Sequence, residues 1–515
     1  MRKAIVPILL GALTVSVVVF LLMRWVGSGG GETDFEPPPL HRLQVRKAAT
    51  PAQPAAMPPP PLWPASSRPN IVLISVDTLR RDHLGCYGYP RDTSPALDRL
   101  CGDAVVFDDA VVPIPKTTPS LTSLLSGLYP KTHHVLTLGI PIPSRVTFIS
   151  QLLRERGYIT VGICGQFNCH RVFGFDRGFD TYDDTFAEEI RLGESHDLLG
   201  GGFHPEAERR AADLVGAAIA WLDRPRERPF FMWVHFMDPH AGYAPPPPFD
   251  TTFSDPPPGA RRAIFGPRLP LSLIHPQALV DEIDEYGFYV NRYDGEIRYL
   301  DTQLGRLLHE LRQRDLYDDT LIVFTSDHGE YMGESSVTST VFSHGHTAYE
   351  SEVRAPLVIK LPGQVRAGTR HAAAISTVDI VPSLVPDAMG VEGRPLPRTA
   401  ASDRTQMIQL PKKRAIFAVR HGGHKVVVRT GHSTGDLIAA LRRGESVDVD
   451  AELYDLATDP WERRPISSGE ALSWALDALA LWLVEAPAVV IPEPECASPM
   501  SEETAGRLRS LGYLQ

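Results

Sequence analysis

An apolar run occupies residues 4–23, preceded by Met1-Arg2-Lys3 and closed by Arg24. As a helix its twenty residues reach ~30 Å, about one hydrocarbon core. Arg2 and Lys3 before the run place the N-terminus in the cytoplasm. A cleaved signal peptide fits less well, because the run is long and no small-x-small site directly follows it. On either reading the rest of the chain is exported, so 1–26 is expected to be a membrane anchor or signal. Pro37-Pro38-Pro39 and Pro58-Pro59-Pro60-Pro61 mark 27–68 as a semi-extended spacer that does not pack.

From Asn70 the pattern changes. Continuous apolar runs at 71–76, 159–164, 230–236, 321–325 and 357–360 predict strands covered on both faces. Helical spacing falls between them at 94–100, 120–128, 147–156, 207–222 and 282–314. Strands alternating with helices predict an α/β fold whose mostly parallel sheet is covered on both sides. The Pro-rich piece 245–258 is expected to be a surface loop. After about Arg394, 415–419 and 425–429 form a hairpin pattern around Gly422-Gly423, followed by a helix over 471–484. The expected division is therefore a catalytic domain over 69–394 and a smaller, antiparallel C-terminal subdomain over 395–515.

Composition narrows the function. Among 515 residues, Lys+Arg 51 against Asp+Glu 62 gives −11, which argues against broad electrostatic binding to nucleic acid. Hydrophobic content of 43% with 22% charged residues is ordinary for a globular chain. Cys86, Cys101, Cys164, Cys169 and Cys496 contain no CxxC pair and no disulfide framework. The nearest two, Cys164 and Cys169, are read as unrelated core thiols rather than a small bridge.

Chemistry collects at strand ends, where parallel sheets gather their ligands. One strand delivers Asp77-Thr78, a second Asp238-Pro239-His240, and a third Ser326-Asp327-His328-Gly329-Glu330. Carboxylate and imidazole arriving from separate strands is what a metal site needs. A fourth element, Pro113-Ile114-Pro115-Lys116-Thr117-Thr118-Pro119-Ser120, enters a helix. Thr118 is the expected cap and Pro119 the first helical residue. Thr117 then lies just outside the N-terminus, where an anion is favoured, unless it serves only in capping. Lys116 points the other way in an extended segment and is expected to act only through its neighbours. His235, inside an apolar strand, reads as a satisfied core histidine.

These segments resemble the sulfatase family of the alkaline phosphatase superfamily. Asn70 to Arg80, Asp82 to Tyr89 and Thr93 to Asp98 are similar to its opening, and Thr117 to Pro130 with His133 to its nucleophile segment. Gly157-Tyr158, Gly178-Phe179-Asp180, His235 to His240, Tyr293 to Glu296 and Ser326 to Glu330 continue the likeness. His344-Gly345-His346, Arg354-Ala355-Pro356, Leu453 to Leu456 and Asp459-Pro460 complete it. The resemblance implies an alkaline phosphatase-like three-layer sandwich with a mostly parallel central sheet, plus a smaller α+β subdomain with an antiparallel sheet.

The departures carry chemistry of their own. Usual sulfatases have C/S-x-P-x-R, whose first residue is oxidised to formylglycine; here the positions read Thr117-Thr118-Pro119-Ser120-Leu121. Oxidised Thr gives a ketone, and the motif's Arg is Leu121. Thr at this position is similar to the superfamily's phosphoethanolamine and phosphoglycerol transferases, in which Thr attacks phosphorus. Carried over residue by residue, the metal ligands are Asp77, Thr117, Asp327 and His328, around one divalent ion. Three oxygens and an imidazole favour zinc or manganese, with calcium less suited. The ion lowers the Thr117 pKa, His240 protonates the leaving oxygen, and His344 or His346 holds a substrate oxygen. The expectation is an exported, membrane-tethered enzyme, its catalytic domain extracytoplasmic and on the periplasmic side in a bacterium. It cleaves a phosphate or sulfate ester of a small molecule, glycan or lipid headgroup, with phosphoester hydrolysis or phospho-group transfer favoured. The alternatives are sulfate ester hydrolysis without formylglycine, and an inactive relative that binds an anionic glycan or lipid headgroup.

Overall fold

The computed structural model describes residues 40–45, 68–186, 208–257, 266–280, 282–335, 340–397, 404–411, 413–466, 468–487 and 489–490. The expected N-terminal anchor, most of the spacer and Cys496 lie outside the described residues. Among the described residues no helix is long and apolar enough to cross a membrane.

The apolar run at 71–76 becomes β2 (Asn70–Val76), with β6 (Phe230–Phe236) on one side and β7 (Thr320–Ser326) on the other. Both neighbours are parallel to it, and Val76 lies opposite Phe236 and Ser326. All three strands therefore end level, and whatever follows each projects from one edge. The sheet continues through β4 (Ile159–Cys164) and β5 (Thr181–Asp183) on one flank, and β8 (Arg354–Lys360), β3 (Val105–Val111) and β9 (Thr369–Ser376) on the other. Only β8 breaks the parallel pattern, running antiparallel to β7 and β3.

The alternation within β2 divides two cores. Ile71 and Leu73 join one cluster with Leu121, Leu124 and Leu125 of the Thr117–Ser126 helix. Val72, Ile74 and Val76 join a second, with Leu214 and Val215 of the Ala211–Leu222 helix and Ile297 and Leu304 of the Tyr286–Gln313 helix. Burial on both faces is why these strands read as unbroken apolar runs. Strand β3 escaped that pattern because Asp108-Asp109 interrupt it at a register shift next to β8 and β9.

A second, antiparallel sheet has the order β1 (His41–Leu43), β13 (Val447–Asp455), β12 (His424–Thr430), β11 (Ile416–His421), β10 (Gln406–Leu410). Strands β11 (Ile416–His421) and β12 (His424–Thr430) form the expected hairpin, its Gly422-Gly423 turn having φ of 56° and 81°. Two positive φ values in succession are available mainly to glycine. Strands β10 (Gln406–Leu410) and β13 (Val447–Asp455) flank it, and the Glu470–Val484 helix covers one face. The other face meets the first sheet through Ile408, Leu410, Ala418 and Val427 against Val112, Tyr349 and Val353.

Two expectations are corrected. The spacer contains β1 (His41–Leu43), which pairs with Val447–Val449 and buries Leu43, because that triplet lies clear of the prolines. Cys164 and Cys169 form a disulfide rather than two separate thiols. After β4 the chain coils through the short Phe167–Cys169 turn, bringing the two Cα atoms to 6.1 Å, within disulfide range.

Candidate active site

Because β2 and β7 end level, Asp77 and Asp327 emerge side by side. Asp77 N–H donates to the Phe236 carbonyl at 2.9 Å and Asp327 N–H to the Val76 carbonyl at 3.1 Å. Beyond Asp327 the chain turns tightly. A Cβ on Gly329 would fall 2.1 Å from the Ser351 carbonyl, so only glycine lets it pass. The His328 ring is thereby turned back over the two carboxylates.

Thr117 arrives from the other core. Lys116, with φ −155°, caps the Thr117–Ser126 helix, so Thr117 is the first helical residue and Pro119 the third. The start is earlier than expected because the Lys116 carbonyl already accepts from Ser120 N–H at 2.9 Å. Thr118, the expected cap, donates its hydroxyl to the Asn168 carbonyl at 3.1 Å. Ser120 donates to the Asp327 carbonyl at 2.6 Å and ties the helix to β7.

The four residues expected as metal ligands come together and are buried. Thr117 Oγ1 lies 3.4 Å from Asp77 Oδ2 and 3.4 Å from His328 Nε2. His328 Nε2 lies 3.5 Å from Asp77 Oδ1 and 3.5 Å from Asp327 Oδ2. His328 Nδ1 donates to the Gly329 carbonyl at 2.9 Å, which leaves Nε2 as a lone pair facing the carboxylates. Asp77 Oδ1 and Asp327 Oδ2 accept no hydrogen bond from any of the described residues. Burial, then the charge of Asp77, pushes the Asp327 carboxyl well above the usual carboxylate range. Burial, with His344 next, takes His328 down to about 3. Buried oxygen and nitrogen lone pairs that converge, with carboxylates whose burial and mutual repulsion raise Asp327, fit a divalent cation. The mixed oxygen and imidazole donors suit zinc or manganese.

His240 and His344 stand beside this set. Their ring centroids are 5.2 Å apart, and the His344 ring is 4.4 Å from that of His328. His240 Nδ1 donates to the Ala241 carbonyl at 2.6 Å. His344 Nδ1 pairs with Glu330 Oε1 at 2.9 Å, while Glu330 Oε2 accepts from the Tyr243 hydroxyl at 2.9 Å. Burial pushes Glu330 up to about 7, with the nearby charge of His240 pulling it down. His346 is exposed, and its N–H, with those of Gly345 and Thr347, is directed at the Glu352 carboxylate. Lys116 sends its stem past Gly345 and its Nζ to Thr137 Oγ1 at 3.0 Å, alongside the same turn. Leu121 lies in the hydrophobic core at 0% exposure and brings no charge to the site.

Some participants escaped the sequence reading. Asp238, at the end of the Phe230–Phe236 strand, serves structure instead: its carboxylate takes Arg210 and the Ala211 N–H. His235 is buried, yet it also offers a ring nitrogen within 4.8 Å of Asp77 and Asp327. Gln166 donates to Asp77 Oδ2 and contacts His235 Nε2 at 2.8 Å. Gln166 also stands just past a strand end, at β4, so the rule that found Asp77 and Asp327 applies to it as well. Glu330 sits in the quoted Asp-His-Gly-Glu segment without having been given a role.

The sequence model of the sulfatase family matches residues 69–391. Human arylsulfatase A is 26% identical over 472 residues, covering 78% of this chain and 84% of its own. Among solved structures, the phosphonate monoester hydrolase of Agrobacterium radiobacter superposes with a TM-score of 0.61 at 22% identity, over 81% of this chain and 95% of that one. A structure in complex with its substrate D-glucosamine-2-N,6-O-disulfate does so with a TM-score of 0.61 at 21% identity, over 81% and 97%. With that match, over more than half of the chain, this protein belongs to the sulfatase family of the alkaline phosphatase superfamily, whose enzymes hydrolyse esters of sulfate and related oxyanions.

Proposed function

We propose that the chain is an exported, membrane-tethered enzyme that cleaves a phosphoester or phosphonate ester with Thr117 as nucleophile. One observation carries this reading. A buried hydroxyl that cannot become an aldehyde lies 3.4 Å from both an Asp77 oxygen and the His328 lone pair, at a helix N-terminus. A bound divalent cation supplies positive charge that lowers the hydroxyl pKa and offsets charge on the ester. The Thr117 proton leaves toward Asp77 Oδ2, Oγ1 attacks phosphorus in line with the departing alcohol, and water or an acceptor alcohol then takes the phosphoryl group from Thr117. Free N–H groups of the helix face the equatorial oxygens. His240, its Nδ1 held by Ala241, presents Nε2 to protonate the leaving oxygen. His344 Nδ1 accepts the proton that burial holds on Glu330, so its Nε2–H is free to donate to a substrate oxygen.

Charge selects among esters. Leu121 takes the place of an Arg, and burial keeps His328 and His344 neutral. A singly charged phosphodiester or phosphonate monoester suits this site better than a doubly charged phosphomonoester. Sulfate monoesters carry the same single charge and are the second reading, favoured by the likeness to arylsulfatase A. The Cys164–Cys169 bridge supports an extracytoplasmic setting, since disulfides persist in oxidising compartments.

The test is turnover by the full chain in detergent, with zinc or manganese, on an aryl sulfate, a phosphomonoester, a phosphodiester and a phosphonate monoester. Turnover is expected on the last two above the phosphomonoester. Turnover of the sulfate alone moves the assignment to the second reading. Binding of an anionic glycan with no turnover supports the inactive relative.

A further inference from the structure

Two imidazoles flank the same pair of carboxylates. His328 Nε2 approaches Asp77 and Asp327 at 3.5 Å, and His235 offers a nitrogen within 4.8 Å of both. The contacts of Gln166 decide between them. Its Oε1 accepts from Asn168 Nδ2 at 3.2 Å, which fixes which end of the amide is which. Its Nε2 then directs its two N–H groups to Asp77 Oδ2 and to His235 Nε2, the latter at 2.8 Å. The His235 proton therefore sits on Nδ1 and is donated to Ser75 Oγ at 2.9 Å, which also accepts from Trp233 Nε1–H at 2.9 Å. No lone pair of His235 is left for a cation, and Asp77 is held with Oδ2 occupied and Oδ1 open.

We propose that Gln166 is a positioning residue that fixes the cation site at one imidazole, by holding His235 off the ion and presenting Asp77 through Oδ1. The Cys164–Cys169 disulfide closes the loop that carries Gln166 and so holds its amide at the end of β2. The inference rests on Asp77, Asp327 and His328 holding the ion.

The test uses the full chain loaded with Mn(II) alone, reading affinity by titration and nitrogen coordination by pulsed electron paramagnetic resonance. The wild type is expected to show one imidazole coupling. Gln166→Ala should bind about tenfold or more weakly, as loss of an outer hydrogen bond to a ligand does, and should show two couplings. Adding His235→Phe to that variant should return the count to one. His235→Phe alone should keep one coupling, and it carries the test if Gln166→Ala does not fold. Two couplings in the wild type, a coupling lost in His235→Phe, or Gln166→Ala with unchanged affinity and count would each overturn the proposal. His328→Ala separates the premise from the inference. If it keeps the ion with a nitrogen coupling, the ligand assignment is wrong; if it loses the coupling while Gln166→Ala changes nothing, only the role of Gln166 is wrong.

Discussion

At the seam between the two sheets, Glu350 meets Lys425 Nζ at 3.0 Å and Arg420 at 3.0 Å, and Lys425 also meets Glu462 at 2.8 Å. At the strand ends, Asp77 and Asp327 meet an imidazole that burial keeps neutral. Both clusters are buried, but their charge balance differs. In the seam Glu350, Glu462 and Asp109 face Arg420 and Lys425; against the upward push of burial these two bases take Glu350 down to about 2, while burial pushes Glu462 up to about 7. At the strand ends two acids face no base, and Asp327 is pushed up. The seam supplies its own cations, whereas the strand-end set leaves valence for one the chain does not supply. Burial alone therefore does not mark a functional cluster; incomplete pairing does.

Substitutions at the two clusters should behave oppositely. The largest effect is expected at the hydroxyl: Thr117→Ala should lower kcat on the order of 10⁴-fold or more, the scale for a lost covalent nucleophile. Thr117→Ser should retain part of the activity, and steady-state kinetics on a phosphodiester measures both. Asp327→Ala should abolish bound metal, read by elemental analysis of the purified chain. Chelation should lower the Tm of the wild type and not of this variant, because an ion at 100 times its Kd stabilises by about 2.7 kcal/mol only where it binds. In the metal-free state the same variant should be no less stable than the wild type, since it relieves the repulsion from Asp77.

The seam should show the reverse. Lys425→Met strands Glu462 in a buried setting and leaves Glu350 to Arg420 alone, and should cost about 3–5 kcal/mol in chemical denaturation. Its metal stoichiometry should stay at the wild-type value. A variant of unchanged stability would mean that the seam does not rest on its own cations.

A smaller effect concerns the turn that carries His344. Burial pushes Glu352 up to about 8, against hydrogen bonds from Thr347, Gly345 and His346. A carboxyl raised in the fold contributes stability that is fully present below its unfolded value, about 4.3, and is lost as pH rises through about 8. The Tm should thus fall between pH 5 and 8, by about 2–4 °C for each kcal/mol lost. Glu352→Gln should flatten that slope, which calorimetry across the pH range reads.

Much of this architecture was legible because burial on both faces writes unbroken apolar runs, and β2, β4, β6 and β7 each came from one. The flank was harder. Strand β3 carries Asp108-Asp109, β9 is rich in alanine, and β5 and β1 have three residues each, so only long-range pairing identifies them. The site followed the same division. Asp77, Asp327 and His328 sit at the ends of legible strands, and Thr117 at a legible helix entry. Gln166, the Glu330–Tyr243 pair and the Cys164–Cys169 bridge depend on which loops meet, which local pattern does not encode. His235 is satisfied as read, through Ser75 and Gln166; what the local pattern does not encode is that its hydrogen bonds end on Asp77 through Gln166.

The central claim is that Thr117 is the nucleophile of the strand-end cluster. The most direct measurement is peptide mass spectrometry of the metal-loaded full chain, quenched during turnover of a slow phosphodiester or phosphonate monoester. The account predicts an added phosphoryl or phosphonyl mass on the peptide spanning Lys116 to Ser120, localised to Thr117 and missing from Thr117→Ala. Full turnover by Thr117→Ala would contradict it and assign the attack to an activated water.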